Sequence, residues 1–584
     1  MSNLMHIFTT GVSGLFASQA GIDVTGNNIS NVNTEGYSRQ RVVLNTRESQ
    51  VLDIGVFGRG VNIETVERIY DDMVAGSIRN ETSDLNYYET IQMSLAKAEI
   101  YFNELEDGSG LGETLQDYFD AWSDLANTAP DESDEALIKR ETLLEKASLL
   151  ADKLHGSYKV LEDLKEESNQ VLEDYVKEIN EISDNIAYLN KNISLIEAGG
   201  NTANNFRDER QVLLDRLSEL TNISVSERTN GQIAVYVGGN ALVDEGKVFE
   251  LTASKEDTES DAISIMWGTQ GQTRDLVDIT ESITSGSMRG HLYVRDELLD
   301  DYQDQINELA TTIITETNKI HSVGQGTDRL TQITSSNGVA NPAYTFAEEV
   351  GAFPIEVVSG TLRIAVYDED GTHVEDLDIE IDPEKDNLNS VIAKISMADN
   401  NPNGGMIQAS ISSGNTIKIT AGSGYDFTFA EDTSNFLVAS GTYGFFGGSN
   451  AQDIEVADII TRNNSYIAAS KTGAVGDNQN AYAIADMKDK DLIDGTDITI
   501  DEFYAYFAAK IGSDKAQADI YVATKQQAVT ELELKLEQVK GVSMDEEMTN
   551  LMKYQRAFEA SSRFINVVDE MLNKLVNSLG TGGR

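Results

Sequence analysis

Asp489, Asp491 and Asp494, just ahead of Gly495, have the residue types of a calcium-binding loop. Such a loop needs oxygen-bearing side chains at its first, third and fifth positions, then a glycine, then a glutamate at the twelfth. The fifth position here is Ile493, which has no oxygen to offer, so the pattern fails. Asp368, Glu369 and Asp370 fall in a hairpin turn and read as solvated carboxylates. Gly55, Gly58 and Gly60 have the spacing of a phosphate cradle, but no strand-to-helix switch surrounds them and they read as loop. The five histidines, His6, His155, His291, His321 and His373, are far apart and show no metalloprotease spacing. Neither a nucleophile elbow nor a phosphate-binding Walker loop occurs. Without cysteine there is no thiolate metal site, cysteine nucleophile or disulfide. The expectation is a chain with no catalytic residue, no metal and no cofactor: not an enzyme.

Composition narrows the partners. The chain has 584 residues, with 98 acidic against 44 basic side chains and a formal charge of −54. Nucleic-acid binders need a basic face to neutralise phosphates, so nucleic acid is excluded. An anionic membrane surface repels the chain for the same reason. The acidic excess is spread along the sequence and reads as a solvated surface. No run of about 18 apolar residues exists, so no membrane insertion is expected. The start, MSNLMHIFTTGVSG, lacks a basic region and an unbroken apolar core, so it is not a secretory signal peptide. Arg39 and Arg41 form a small basic cluster in this acidic chain. Pairing with a neighbour's acidic groups and simple solvation both stay open for them.

Both ends of the chain carry heptad spacing. Phe8, Leu15, Ile22 and Ile29 recur every seven residues, interleaved with Leu4, Gly11, Ser18, Thr25 and Val32. The alternation of three and four is a coiled-coil seam, although the second series is mostly small and buries little area. At the other end Met544, Leu551, Phe558, Ile565, Leu572 and Leu579 repeat every seven. Their companion series is Met548, Gln555, Ser562, Asp569 and Val576, and a second weak seam runs through Tyr554, Ser561, Val568 and Leu575. Two marginal helices need partners. They pair with each other, or they also pack against further copies of the chain.

Between the N-terminal helix and the rest lies TGNNISNVNTEGYSRQR, Thr25 to Arg41. Asparagine is a poor helix former and tolerates left-handed dihedrals, so Asn27, Asn28, Asn31 and Asn33 are expected to break the helix into a turn, with Gly36 offering another turn position before Tyr37. This stretch is similar to the N-terminal signature of bacterial flagellar rod, hook and hook-associated proteins. FGRGVNIETVERIYDDMV, from Phe57 to Val74, looks like the segment that follows it there. DEEMTNLMKYQRAFEASSRFINVVDEMLNKLV, from Asp545 to Val576, resembles their shared C-terminal helix.

The middle of the chain separates members of that group. Leu172, Tyr175, Ile179, Ile182, Ile186, Leu189, Ile193 and Ile196 step by three and four. With Leu143, Leu150, Leu154 and Leu161 they predict a helical region over most of Asp131 to Ala198, about 90 Å if unbroken, with Gly156 as the candidate interruption. Further long helices are expected over about Arg295–His321 and Asp514–Val539. NFRDERQVLLDRLSEL reads as an amphipathic helix, followed by a strand at Ile233–Val237 after an Asn230–Gly231 turn. This pair resembles the hook-associated protein 1 family, the first hook–filament junction proteins, as do Gly286–Gly324 and Ala481–Gly512. From about Leu330 to Asn478 helical periodicity stops. Hairpins are expected around Asp370–Gly371 and Gly414–Asn415.

The expected fold is α+β and multidomain: a terminal coiled-coil domain (1–75 plus 540–584), a long-helix bundle with a small β part (76–329 plus 479–539), and an inserted β-rich domain (330–478). The resemblance implies a structural subunit of the bacterial flagellum, outside the cell, in the layer between hook and filament. It also implies self-assembly into a ring or helical layer and contact with the hook protein and with a second junction protein or the filament. Export by the flagellar type III route, with a cytoplasmic chaperone on the C-terminal helix, follows from the same resemblance. A hook or distal-rod subunit is the alternative within the family. A binding role for the insert is the alternative outside it.

Overall fold

The computed structural model describes residues 2–580, apart from 53–54, 103–109, 129–132, 256–261, 270, 272–274, 350, 352, 399, 402–404, 475 and 494–496. Asp494 and Gly495 of the failed calcium pattern lie outside the described residues, as does the side chain of Leu579. From the N-terminus the chain forms α1 (Ser2–Ser30), β1 (Gln40–Thr46), β2 (Gln50–Leu52), β3 (Gly55–Phe57), β4 (Val61–Arg68), α2 (Asp72–Phe102), α3 (Leu111–Ala126), α4 (Asp134–Glu197) and α5 (Asn204–Leu220). Six strands follow: β5 (Ile223–Glu227), β6 (Ile233–Val237), β7 (Asn240–Asp244), β8 (Lys247–Lys255), β9 (Ile263–Thr269) and β10 (Val277–Asp278). Then come α6 (Gly286–Tyr293), a π turn at Val294–Leu298, and α7 (Leu299–His321). The next stretch is β11 (Gln332–Thr334), β12 (Gly360–Asp368), β13 (His373–Ile381), α8 (Leu388–Ser396), β14 (Ile407–Ile411), β15 (Ile417–Ala421), β16 (Tyr425–Asp432), α9 (Phe436–Ser440), β17 (Phe446–Gly447) and β18 (Glu455–Val456). The chain closes with α10 (Asp458–Arg462), α11 (Gln479–Ala485), α12 (Ile500–Lys540) and α13 (Met544–Gly580). The fold is α+β, with helices dominating and the strands gathered in several small sheets.

Two compact units are present, one made of residues 1–93, 166–294 and 516–584, the other of 94–165 and 295–515. In the first, β5 to β10 form an antiparallel meander in sequence order. Leu172, Ile179 and Ile186 of α4 share one buried cluster with Leu214 and Leu217 of α5 and with Val235, Leu242 and Ile265 of the sheet. The heptad step on α4 and the alternation on β6 thus meet in one core. In the second unit, β13-β12-β16 and β11-β15-β14 form two three-stranded sheets. Their inner side chains, among them Ile364, Phe429 and Ile419, pack with Leu388, Val391 and Ile395 of α8. The hairpins expected at Asp370–Gly371 and Gly414–Asn415 are the β12–β13 and β14–β15 pairs.

Three helices differ from expectation. α4 runs through Gly156 as one helix of 64 residues. A single glycine costs about 1 kcal/mol against alanine, too little to break a helix whose flanking leucines, Leu154 and Leu161, are fully buried. α12 starts at Ile500 rather than near Asp514. Its start is held by a capping box: Glu502 N–H donates to Thr499 Oγ1 at 3.3 Å, and Thr499 N–H to Glu502 Oε2 at 3.0 Å. The T-x-x-E spelling of that box stands in the sequence and marks the true boundary. α1 continues through Asn27 and Asn28 to Ser30 before the turn begins.

In the second unit His321 is fully buried against Trp122, Tyr443 and Phe445. Its Nε2 accepts from Ala468 N–H at 3.0 Å, so the proton sits on Nδ1, 3.1 Å from the Tyr443 carbonyl. Burial pushes its pKa down to about 4 from the usual 6.5. The folded state therefore binds this proton later than the unfolded chain does. Stability from this residue is whole above pH 6.5 and falls as pH drops toward 4, by about 3 kcal/mol in all. Thermal melts from pH 7 to pH 4 are expected to fall more steeply for the native chain than for His321→Gln, which keeps a donor and an acceptor without the titration. Parallel curves would remove His321 from the acid response.

Candidate assembly interface

α1 and α13 pack against each other, antiparallel, within one chain. The α1 residues that face α13 are the small ones. A Cβ on Gly11 would sit 2.8 Å from Phe564 and 3.0 Å from Ile565, one on Gly14 3.1 Å from Ser561, and one on Gly21 2.5 Å from Tyr554. Ser18, Thr25 and Asn28 continue the line and are buried. Gly11, Gly14, Ser18, Gly21, Thr25 and Asn28 step by three and four. Gly11, Ser18 and Thr25 come from the interleaved series and Gly14, Gly21 and Asn28 from neither, and together they form a seam that works by letting backbones approach closely rather than by filling space.

The larger side chains flank that seam. Phe8, Leu15, Ile22 and Ile29 are each half-buried. On α13, Leu551, Phe558, Ile565 and Leu572 are half-buried and Met544 is exposed. Their companions are Tyr554, Ser561 and the fully covered Val568. Met548, Gln555, Asp569 and Val576 of the expected companion series are exposed. The two seams read on α13 are therefore one: Leu551, Tyr554, Phe558, Ser561, Ile565, Val568 and Leu572 step by three and four along a single face. Apolar side chains remain outside it. Phe16 on α1 and Met552, Val567, Met571 and Val576 on α13 are about half exposed or more.

The other side of α1 carries a β ladder. β1 pairs with β4 from Gln40↔Arg68 to Thr46↔Val61. Val61 N–H donates to Ser13 Oγ at 3.2 Å. Asn28, only 1% exposed, ties the ladder, the turn and α13 together. Its Nδ2 donates to the Gln40 carbonyl and to Glu547 Oε2, both at 2.9 Å. Its Oδ1 accepts from Tyr37 O–H at 2.8 Å and from Gln40 N–H at 3.0 Å. The side chain has two donors and two lone pairs, and all four are used. Burial, with Asp208 and Glu547 nearby, pushes the Tyr37 hydroxyl up to about 12, so it stays a donor at neutral pH.

The remaining signature residues shape the turn. Asn31 Nδ2 donates to Asn27 O and Oδ1, and Thr34 Oγ1 donates to Asn31 Oδ1. Asn33 is exposed. Gly36 has φ of +74°, and a Cβ there would collide with Val212 of α5. Arg39 donates to Glu547 Oε1 at 2.6 Å and sits 3.2 Å from Glu546, while Arg41 pairs with Glu67 across the ladder. Both arginines thus find partners inside the chain, because the turn returns them to α13 and β4. Asp208 was not singled out by sequence reasoning. It accepts from Ser38 N–H at 3.2 Å and pairs with Arg68 at 3.2 Å, tying turn and ladder to α5. Burial raises its pKa, with Ser38 and Arg68 acting the other way.

Among the described residues no group of three His, Asp or Glu is placed to hold a metal ion, and no helix is long and apolar enough to cross a membrane. The arrangement joins chain segments.

Residues 95–332 match a family model described as the flagellar hook-associated protein FlgK helical domain. Residues 8–37 match one for the flagella basal body rod protein, and 539–579 one for the flagellar basal body rod FlgEFG protein C-terminal. These two cover the signature turn and α13. The chain is similar throughout to proteins named flagellar hook-associated protein 1. It is 27% identical to that of Bacillus subtilis (98% of this chain, 97% of the relative) and 24% identical to that of Escherichia coli K12 (99% and 100%). A solved structure, the flagellar hook junction protein FlgK from Burkholderia pseudomallei, aligns with a TM-score of 0.51 over 80% of this chain and all of that one. At 16% identity this shows a shared fold.

Proposed function

The chain belongs with the flagellar hook-associated protein 1 family, and we infer from that premise how it works as a structural subunit between hook and filament. The carrying observation is the terminal pair. α1 and α13 satisfy each other along one close-packed seam yet leave Phe16, Met552, Val567 and Met571 in water. Exposed apolar surface of this kind marks a contact still to be made. In this reading the pair lines the inner wall of a ring or helical layer. The hook protein sits on one side of the layer, and a second junction protein or the filament on the other. Before assembly a chaperone covers α13, and the chain travels unfolded by the type III route. No catalytic residue, metal or cofactor takes part.

Labelled protein is expected as a focus at the distal end of the hook, and cells lacking it are expected to carry hooks without filaments. Removal of residues 545–584 is expected to abolish incorporation while leaving the second unit, which contains none of them, folded by circular dichroism. A label spread along the hook, with many copies per flagellum, would favour a hook or distal-rod subunit instead.

A further inference from the structure

β11 is an edge strand with one bare side. It lies at the end of the β11-β15-β14 sheet, inside the second unit. Ala421 N–H donates to the Thr331 carbonyl at 2.8 Å, and Ser335 N–H to the Ile417 carbonyl at 2.9 Å. In this register Thr331, Ile333 and Ser335 turn their backbone groups toward β15. The N–H and C=O groups of Gln332 and Thr334 therefore point away from it. Among the described residues no hydrogen bond reaches those groups, and both residues are exposed.

The opposite edge of the same sheet is closed. The outward residues of β14 include Ile407 and Ala409. Asn401 Nδ2 donates to the Ile407 carbonyl at 2.6 Å, and its Oδ1 accepts from Ile407 N–H at 3.3 Å. Ser396 Oγ accepts from Ala409 N–H at 3.0 Å and donates to the Ala409 carbonyl at 3.4 Å. Side chains there take the bonds that a further strand would make. Free edge groups are a template for pairing, and folded proteins commonly block them. This sheet has one edge blocked and the other open.

The open edge borders a groove of about 600 Å³. β11 lends it four consecutive residues, Thr331 to Thr334, and β15 only Lys418, so the edge of the strand forms the wall. Ile459 and Tyr466, both half-buried, line the same groove and pack on the core that holds Ile333. A strand laid along β11 would set one side chain beside Ile333, over that apolar floor. The charged lining is Lys418 and Arg462 against Glu455 and Asp458, two of each sign in a chain where acidic side chains outnumber basic ones by 98 to 44. The groove thus asks for no net charge, while the field of the whole chain repels an acidic segment.

We propose that the β11 edge receives an uncharged, extended segment of a partner protein as an added strand, with an aliphatic side chain opposite Ile333. Backbone groups spaced for a ladder are matched by another backbone, and the balanced charges of the groove set the segment's chemistry. The inference is independent of the assembly proposed for α1 and α13, since it uses none of their residues.

The probe is the peptide acetyl-TISITA-amide, which keeps the alternation of Thr416–Ala421 on β15 without its lysine. Amide exchange of the full-length chain, resolved to single residues, is followed with and without about 1 mM peptide. Exchange at Gln332 and Thr334 is expected to slow about fivefold, and at Ile333 and Ser335, already in the ladder, to change less. Thr334→Pro removes one outward N–H and no bond to β15, and proline is tolerated at such edge positions. In that variant the peptide is expected to lose its effect on Gln332, with an unchanged circular dichroism spectrum. Thr334→Val keeps the N–H and is expected to respond as the native chain does. No slowing at Gln332 and Thr334 of the native chain overturns the proposal, whatever the variants do. Slowing that survives Thr334→Pro, or that vanishes in Thr334→Val, overturns it as well. The peptide acetyl-TIEITA-amide is expected to bind about fivefold more weakly. Equal or tighter binding of that peptide overturns the uncharged partner.

Discussion

Gly21→Leu is expected to separate α1 from α13 and to abolish swimming. A Cβ at this position falls 2.5 Å from Tyr554 Cδ1 and 2.7 Å from Cε1 and Cγ, in the middle of the seam. Two effects oppose each other. A helical glycine replaced by alanine gains about 1 kcal/mol of helix propensity. Against this, forcing atoms into a closed contact costs about 1–3 kcal/mol, and a leucine brings three carbons more than alanine. The clash wins for leucine, with an expected net loss of about 2 kcal/mol from the helix pair. Gly26 provides the control on the same helix, since a Cβ there meets nothing within 4 Å. Gly26→Ala is expected to stabilise α1 by about 1 kcal/mol. Amide exchange of α1 and α13, together with soft-agar motility, reads both. Equal behaviour of the two variants would mean that close approach at Gly21 is not what holds the pair.

The second large effect is at Asn28. Asn28→Leu keeps the branched shape but strands Tyr37 O–H, Gln40 N–H, the Gln40 carbonyl and one oxygen of Glu547. Each stranded buried group costs about 1–3 kcal/mol, and the groups share one site, so a total of about 3–5 kcal/mol is expected. Asn28→Asp is expected to be worse at pH 7. It places a carboxylate oxygen where Nδ2 now lies, 2.9 Å from Glu547 Oε2. Two carboxylates that close cannot both stay ionised, so the pair's proton affinity rises above that of the unfolded chain. The sign is then opposite to the native acid response. The folded variant binds more protons than the unfolded one near pH 5, so its deficit relative to Asn28→Leu shrinks as pH falls from 7 to 5. Asn28→Asp combined with Glu547→Gln restores a donor facing an acceptor and is expected to recover part of the loss. Chemical denaturation at pH 7 and pH 5 tests both statements. A pH-independent Asn28→Asp deficit would show that Glu547 is not its partner.

The long helices and the tight hairpins were legible in the sequence because their signals are local. On α4, Leu172 to Ile196 carry the spacing of one helical face and the structure buries that face. Gly371, Gly414 and Asn415 supply the positive φ that their turns require. The capping box at Thr499 was also local and was passed over. Its residues, Thr499 and Glu502, mark the start of α12 in plain sequence. Asp208 had no comparable signal. Nothing in NFRDER shows that this carboxylate will meet Ser38 and Arg68, which lie more than a hundred residues earlier.

The sequence by itself determined the long helical faces and the tight hairpins, and that both ends carry seven-residue repeats. Only the tertiary structure decided which residues form the seam. On α1 both the large series and the small series have the right period. A lone helix would be expected to bury the large one, since apolar area is what burial rewards. A partner helix changes the comparison, because glycine and serine bring the two backbones close enough for the whole face of α13 to make contact. The same holds for Asn28: in isolation it weakens a helix, and it becomes the best-satisfied polar group of the interface once Gln40, Tyr37 and Glu547 are folded around it. Burial belongs to the pair of surfaces that meet, and a sequence displays one surface at a time.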